Sequence, residues 1–300
     1  MDFQLMSDSS CDLDMEFRKK YNVQVVPFYI TFDQENYYKE VDEIEIREVY
    51  RRMVDEPENY PMTSLPSVQN YIEAFMPHVI AERGIICACI TTTLSGSYNA
   101  ACNAREIIME DYPEAKITVV NTLGATVLQA ALLMEASRMQ EAGADYDAVV
   151  DYMTGEALKT GRIFFTVGNI DYLKHGGRIG KVASVAASAL NLKPIITLKD
   201  GEIDASGVAR SRKKSIAKVF ETLKSHFKET GENPKDYIYI VGYGYDRDEG
   251  VAFKEEFEEV MKEFGGVHEI YLFQIGATIC VHTGPYALGV GLVKKSGCEL

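Results

Sequence analysis

The chain has 300 residues, 46% of them hydrophobic and 25% charged, with a formal net charge of −14. That hydrophobic share excludes wholesale disorder, and the length calls for two domains. The acidic balance argues against nucleic acid and anionic membranes as partners, because both require a concentrated surface of lysine and arginine.

The N-terminus, MDFQLMSDSSCDL, has an acid at position 2 and polar residues from position 7. Neither a signal peptide nor an anchor is expected there, and no later apolar run reaches the ~20 residues of a membrane span. A cytoplasmic protein without stable membrane insertion is the expectation. Asp8 and Asp12 read as loop formers that bond nearby backbone amides. Six cysteines (Cys11, Cys87, Cys89, Cys102, Cys280, Cys298) include no C-x-x-C pair and read as reduced core residues.

Through the first half, FQLM, VQVVPFYITF, GIICACIT and KITVVN read as strands alternating with amphipathic helices, the mark of a parallel sheet wrapped by helices. One helix is expected from about Pro66, burying Val68, Ile72, Phe75 and Val79 and stopping at Gly84. Another starts near Gly96 or Ser97 and turns Tyr98, Ala101, Cys102, Ile108 and Met109 to the sheet; a third runs from Thr126 to Gly143. The second half has an Asp200-Gly201 hairpin turn, strands in DYIYIVGYGY, VHEIYLFQIG and ALGVGLV, and helices over KVASVAASALNL, 211–230 and 249–264. The boundary falls near Thr160-Gly161, giving units of residues 1–160 and 161–300.

Two loops place hydroxyls at helix starts: Ser95 and Ser97 in LSGSY, and Thr63, Ser64 and Ser67 in PMTSLPS. Helix N-termini carry unpaired N–H groups and a positive partial charge, so they suit an anion, although serine there also serves simply as a cap, the expected role of Ser97. A monocarboxylate fits the two loops together, since hydroxyls and amides satisfy its oxygens without a buried counter-ion. His282, beside a Gly-Pro turn, is a side chain whose proton can couple to a carboxylate near neutral pH. A Ser95–His282–Asp8 hydrolase triad can be drawn, but LSGSY lacks the G-x-S-x-G elbow. Lys174, His175, Arg178, Lys181, Arg210, Arg212, Lys213 and Lys214 form either a phosphate cradle or a solvated basic face. Scattered histidines without ligand spacing leave metal binding unsupported.

In order, DSSCDL (8–13), TSLPS (63–67), TLSGSY (93–98), DYLKHGGRIG (171–180), LKPIITLKDGEI (192–203) and HTGP with ALGV (282–290) resemble the DegV family of bacterial fatty-acid-binding proteins. The resemblance implies an α/β protein with a parallel-sheet, Rossmann-like N-terminal domain and a mixed-sheet C-terminal domain. One long-chain fatty acid, such as palmitate or oleate, lies between them, with no other cofactor. It assigns the carboxylate to Thr63 and Ser95, with Gly96 beside them and His282 in the same network. Similar proteins are non-catalytic acyl-carrying subunits that present the acid to a separate ATP-dependent fatty acid kinase, which implies that Arg178 and Arg210 lie near the added phosphate or the kinase surface.

Leu65, Thr91 to Thr93 and Tyr286 depart from the family pattern, and the Tyr286 ring is expected to narrow the pocket or cover its mouth. Segments RIFFTVG, VASVAASALNL and LFQIG are expected to wall the acyl tunnel. Burial of roughly 0.8 kcal/mol per methylene makes the tail the source of affinity. The competing reading is an enzyme, either a phosphoryl-transfer protein or a serine hydrolase, acting on a small substrate.

Overall fold

The computed structural model describes residues 2–183, 192–267 and 269–297. The first half runs β1 (Phe3–Asp8), α1 (Met15–Lys20), β2 (Val23–Val26), β3 (Tyr29–Thr31), β4 (Tyr38–Lys39), α2 (Ile46–Asp55), β5 (Met62–Ser64), α3 (Val68–Ile80), β6 (Gly84–Cys89), α4 (Ser97–Asp111), β7 (Ile117–Asn121), α5 (Thr126–Glu141), α6 (Tyr146–Thr154) and α7 (Glu156–Thr160). Strands β2-β1-β6-β7 pair in that order, all parallel. Every residue of β1 and β6 is buried, as expected of parallel strands covered by helices on both faces.

The expected single strand VQVVPFYITF is two. Pro27 has no N–H to give a ladder, and there the chain leaves the parallel sheet for a small antiparallel one, β4-β3-β5. That sheet sets Thr63 opposite Ile30. Ser67 caps α3 in a capping box with Asn70. The helix ends at Ile80, and Gly84 is the first residue of β6 rather than a stop. On α4 the small face Ala100, Ala101 and Ala104 packs inward with Ile108, while Met109, expected inside, is exposed.

The second half runs β8 (Arg162–Thr166), α8 (Asp171–His175), β9 (Lys193–Lys199), β10 (Glu202–Ala209), α9 (Arg212–Thr230), β11 (Tyr237–Tyr243), α10 (Arg247–Met261), β12 (Ile270–Gln274), α11 (Ala277–Thr283) and β13 (Leu288–Lys294). Its sheet has the order β10-β9-β8-β13-β11-β12, antiparallel except for the β11–β12 pair. Asp200 (φ 52°) and Gly201 (φ 83°) both take the left-handed conformation that a two-residue hairpin turn requires. The helix expected over 181–192 lies largely outside the described residues.

Helix α5 joins the two sheets. Its residues from Thr126 to Ser137 are all buried, and the strands facing it carry glycines: a Cβ on Gly291 would fall 2.7 Å from Val127 Cγ2. One apolar core therefore runs from Leu5 through Leu132 to Ile196 and Ile240. The β9–β10 turn reaches back across. Gly201 N–H donates to Leu123 O at 3.1 Å, and Thr91 and Thr93 hydroxyls donate to Gly201 O. Those threonines tie the hairpin tip to the first half.

Candidate functional site

A cavity with about 840 Å³ of open space lies where the hairpin, α5, α11 and the loop after β6 meet. Its walls are apolar over most of their length: Ile90, Leu94 and Val127 come from the first half, Ile163, Leu198 and Ile203 from the second. Of the segments expected to form the wall, RIFFTVG contributes Ile163 and Phe165 and LFQIG contributes Ile275. VASVAASALNL falls mostly outside the described residues. The contributions of α5 and of the 90–94 loop went unread in sequence, because periodicity marks their residues only as core.

Thr63, Ser95, Arg178 and His282 all line this one cavity. Strand β5 delivers Thr63, the turn before α4 delivers Ser95, and the last turn of α11 delivers His282. Thr63 Oγ1 and His282 Nε2 are 3.0 Å apart. Nδ1 of His282 is buried without a hydrogen-bond partner among the described residues. It packs against Gly176, where an added Cβ would stand 2.1 Å away, which is why that position has no side chain. Burial first, and the positive charge of Arg178 second, push the imidazole down to about 4, so it is neutral near pH 7. In the Nε2–H tautomer the ring donates to Thr63, and the threonine proton is left to point into the cavity.

The Ser95 hydroxyl oxygen accepts the Ser97 N–H at 3.2 Å, leaving its own proton to donate. Gly96 is the N-cap of α4 and does not line the cavity. The polar end is not free of cations, as expected from the hydroxyl loops alone. Arg178 lines it, its guanidinium held by Leu94 O at 3.1 Å and Gly176 O at 2.6 Å.

Several expected groupings do not form. Ser97 is no cap: its hydroxyl is fully buried, donates to Asp8 Oδ2 at 2.7 Å and takes the Tyr71 hydroxyl at 2.6 Å. Asp8 also accepts Ile90 N–H at 3.1 Å, Gln129 Nε2 at 3.0 Å and the Ser10 hydroxyl at 2.5 Å. Burial raises its carboxyl pKa, and these bonds oppose the rise. Asp8 thus holds its own loop through Ser10 but, like Asp12, bonds mainly to partners far away in sequence. With Asp8 committed to Ser97 and Nδ1 of His282 turned to Gly176, the Ser95–His282–Asp8 triad is not assembled.

The basic residues also disperse. Arg212 pairs with Glu249 at 2.6 Å, Lys181 with Glu202 at 2.5 Å, and His175 stacks on Tyr60 with ring centroids 3.7 Å apart. Arg210 is exposed on a separate shallow groove with Lys214 and Lys218. Tyr286, expected at the pocket, is not among the side chains that line the cavity; it is exposed and leans on Gly168 beside Tyr60 and Tyr172. The five described cysteines are all free thiols, four of them buried. Among the described residues no helix is long and apolar enough to cross a membrane, and no cluster of His, Cys, Asp or Glu could hold a metal ion.

Fold and cavity together define a class: an α/β protein whose sheets and helices enclose a mostly apolar space into which a few polar side chains project. Comparison with known proteins narrows it. The chain belongs to the DegV family, whose profile, described as "Uncharacterised protein, DegV family", matches residues 2–295. It is similar to the structure of a stearic-acid-binding protein from Eubacterium ventriosum, at 41% identity and a TM-score of 0.92 over 98% of each chain. A fatty-acid-binding DegV family protein from Thermus thermophilus matches at 28% identity and a TM-score of 0.83, over 98% of this chain and 100% of that one. A DegV domain-containing protein from Clostridium acetobutylicum is 31% identical over 295 residues, covering 97% of this chain and 98% of the relative.

Proposed function

We propose that this protein binds one long-chain fatty acid, non-catalytically, between units of residues 1–160 and 161–300, with the carboxylate held by the hydroxyls of Thr63 and Ser95 and with His282 in the same network through its bond to Thr63. One observation carries the reading: Thr63, Ser95, Arg178 and His282, from distant parts of the chain, meet in the lining of one mostly apolar cavity. Hydroxyl protons from Thr63 and Ser95 meet the carboxylate oxygens, and Arg178 supplies the charge that offsets their desolvation. The stearic-acid-binding relative supports the same ligand class.

Native mass spectrometry of the purified protein mixed with palmitate or oleate tests this directly, and persistent absence of bound acid sinks it. Thr63→Ala and Ser95→Ala should each weaken binding by about 1–3 kcal/mol through an unpaired carboxylate oxygen; unchanged affinity removes that residue from the site. The acid is presented to a separate ATP-dependent fatty acid kinase, with Arg178 at the head group and Arg210 on the outer surface facing the partner. Acyl phosphate formed by this protein with ATP alone would contradict the carrier role and favour an enzyme.

A further inference from the structure

The helix that carries His282 is held at its other end by two carboxylates from the first half of the chain. Asp12 and Glu40 are 7% and 1% exposed. Asp12 Oδ1 accepts the Gly276 N–H at 2.9 Å, and Glu40 Oε1 accepts the Thr278 N–H at 3.1 Å. Glu40 Oε2 takes the hydroxyls of Thr278 and Ser9, both at 2.5 Å, and Asp12 Oδ2 takes that of Thr126. At Gly276 a Cβ would stand 2.7 Å from Glu40 Oε1 and 2.9 Å from Asp12 Oδ1, so only glycine lets both acids close in. Burial raises both carboxyl pKa values, Asp12 well above its ordinary range, and the hydroxyls and helix-end amides work against the rise.

Keeping two acids this deep is costly, and neither touches the cavity. Their bonding partners do: Thr126 and Thr278 line it, as does His282. Helix α11 has seven residues, about 10 Å of rigid rod, so a shift at Gly276 is felt at His282. Thr126 adds a second link. It holds φ 51°, unusual for a β-branched residue, while its hydroxyl is bound to Asp12.

We propose that Asp12 and Glu40 are positioning residues for the head-group site, setting the placement of α11 and hence the reach of His282 to Thr63, whose hydroxyl meets the ligand carboxylate. This rests on the fatty-acid reading above. The test compares wild type, Glu40→Gln and Asp12→Asn for binding of palmitate and of 1-hexadecanol, by displacement of a fluorescent acyl probe. Palmitate affinity should fall about tenfold in each variant, while the alcohol, which has the tail but no carboxylate, changes less than about twofold. Equal loss for both ligands, or loss for neither, overturns the proposal. If either variant does not fold, Ser9→Ala removes one bond to Glu40 and leaves both acids in place; a smaller loss confined to palmitate supports the proposal, and any other pattern overturns it. Wild-type protein that binds acid and alcohol alike would instead overturn the fatty-acid reading, and the positioning role with it.

Discussion

Asp8 and His282 are both polar groups set into apolar surroundings, and they differ in how fully they are bonded. Four donors converge on the Asp8 carboxylate: Ser10, Gln129, Ser97 and the Ile90 N–H. His282 makes one bond, to Thr63, and faces the cavity with Ser95 and Arg178 nearby. The saturated group has nothing left to offer a ligand, and it acts as a structural knot that ties β1, the 90–97 loop and α5. The sparsely bonded one gives its Nε2–H to Thr63, whose own proton is left to meet a ligand. Bond saturation therefore separates the serine that looked like a cap, Ser97, from the serine that faces the cavity, Ser95.

The comparison breaks most visibly at Asp8. Asp8→Ala strands its buried donors and should cost about 4 kcal/mol of stability, read as a lowered urea midpoint; a loss below ~1 kcal/mol would mean the knot is slack.

A smaller effect is expected from acid. The His282 imidazole lies at about 4 in the folded protein and near 6.5 when unfolded, so the unfolded chain takes up the proton first as pH falls. Stability from this neutral ring is complete above pH ~6.5 and fades towards pH ~4, by at most about 3 kcal/mol. Replacing it in His282→Gln should therefore narrow the gap in unfolding free energy between wild type and variant as pH is lowered from 7 to 4.5. A gap that holds constant would show the ring to be solvated.

The mildest change sharpens the contrast by moving only the ring. Gly176 has an ordinary backbone conformation, φ −73°, so alanine strains no dihedral there, but its Cβ would stand 2.1 Å from Nδ1 and must displace the imidazole. Gly176→Ala should weaken palmitate binding by about 1.4 kcal/mol. Retained affinity, measured by calorimetric titration, would show that Nδ1 packing does not set the site.

Much of the fold was legible without coordinates, for reasons local to each element. Fully apolar runs such as GIICACI announce strands covered on both faces, and Asp200-Gly201 announces its own turn because few other pairs accept two positive φ angles. Where reading failed, a single residue met a neighbour the pattern could not see. Pro27 split a strand between two sheets, and Met109 sat just beyond the edge of the face α4 buries. The ordered motif blocks located Thr63, Ser95 and His282 individually.

Bringing them together was the work of tertiary structure. Thr63 and His282 are 219 positions apart yet share a hydrogen bond, because the small antiparallel sheet carries β5 against the helix before β13. The same packing drew Arg178 into the cavity and left Arg210 outside, although both stood in one basic-rich region of sequence. Hydrophobic periodicity and turn chemistry report how a residue sits on its own element, and these the amino-acid order settles. Which loops converge, and which buried oxygen finds its donors, depends on sheet order and on how α5 and α11 pack between the sheets; those contacts exist only in the folded chain.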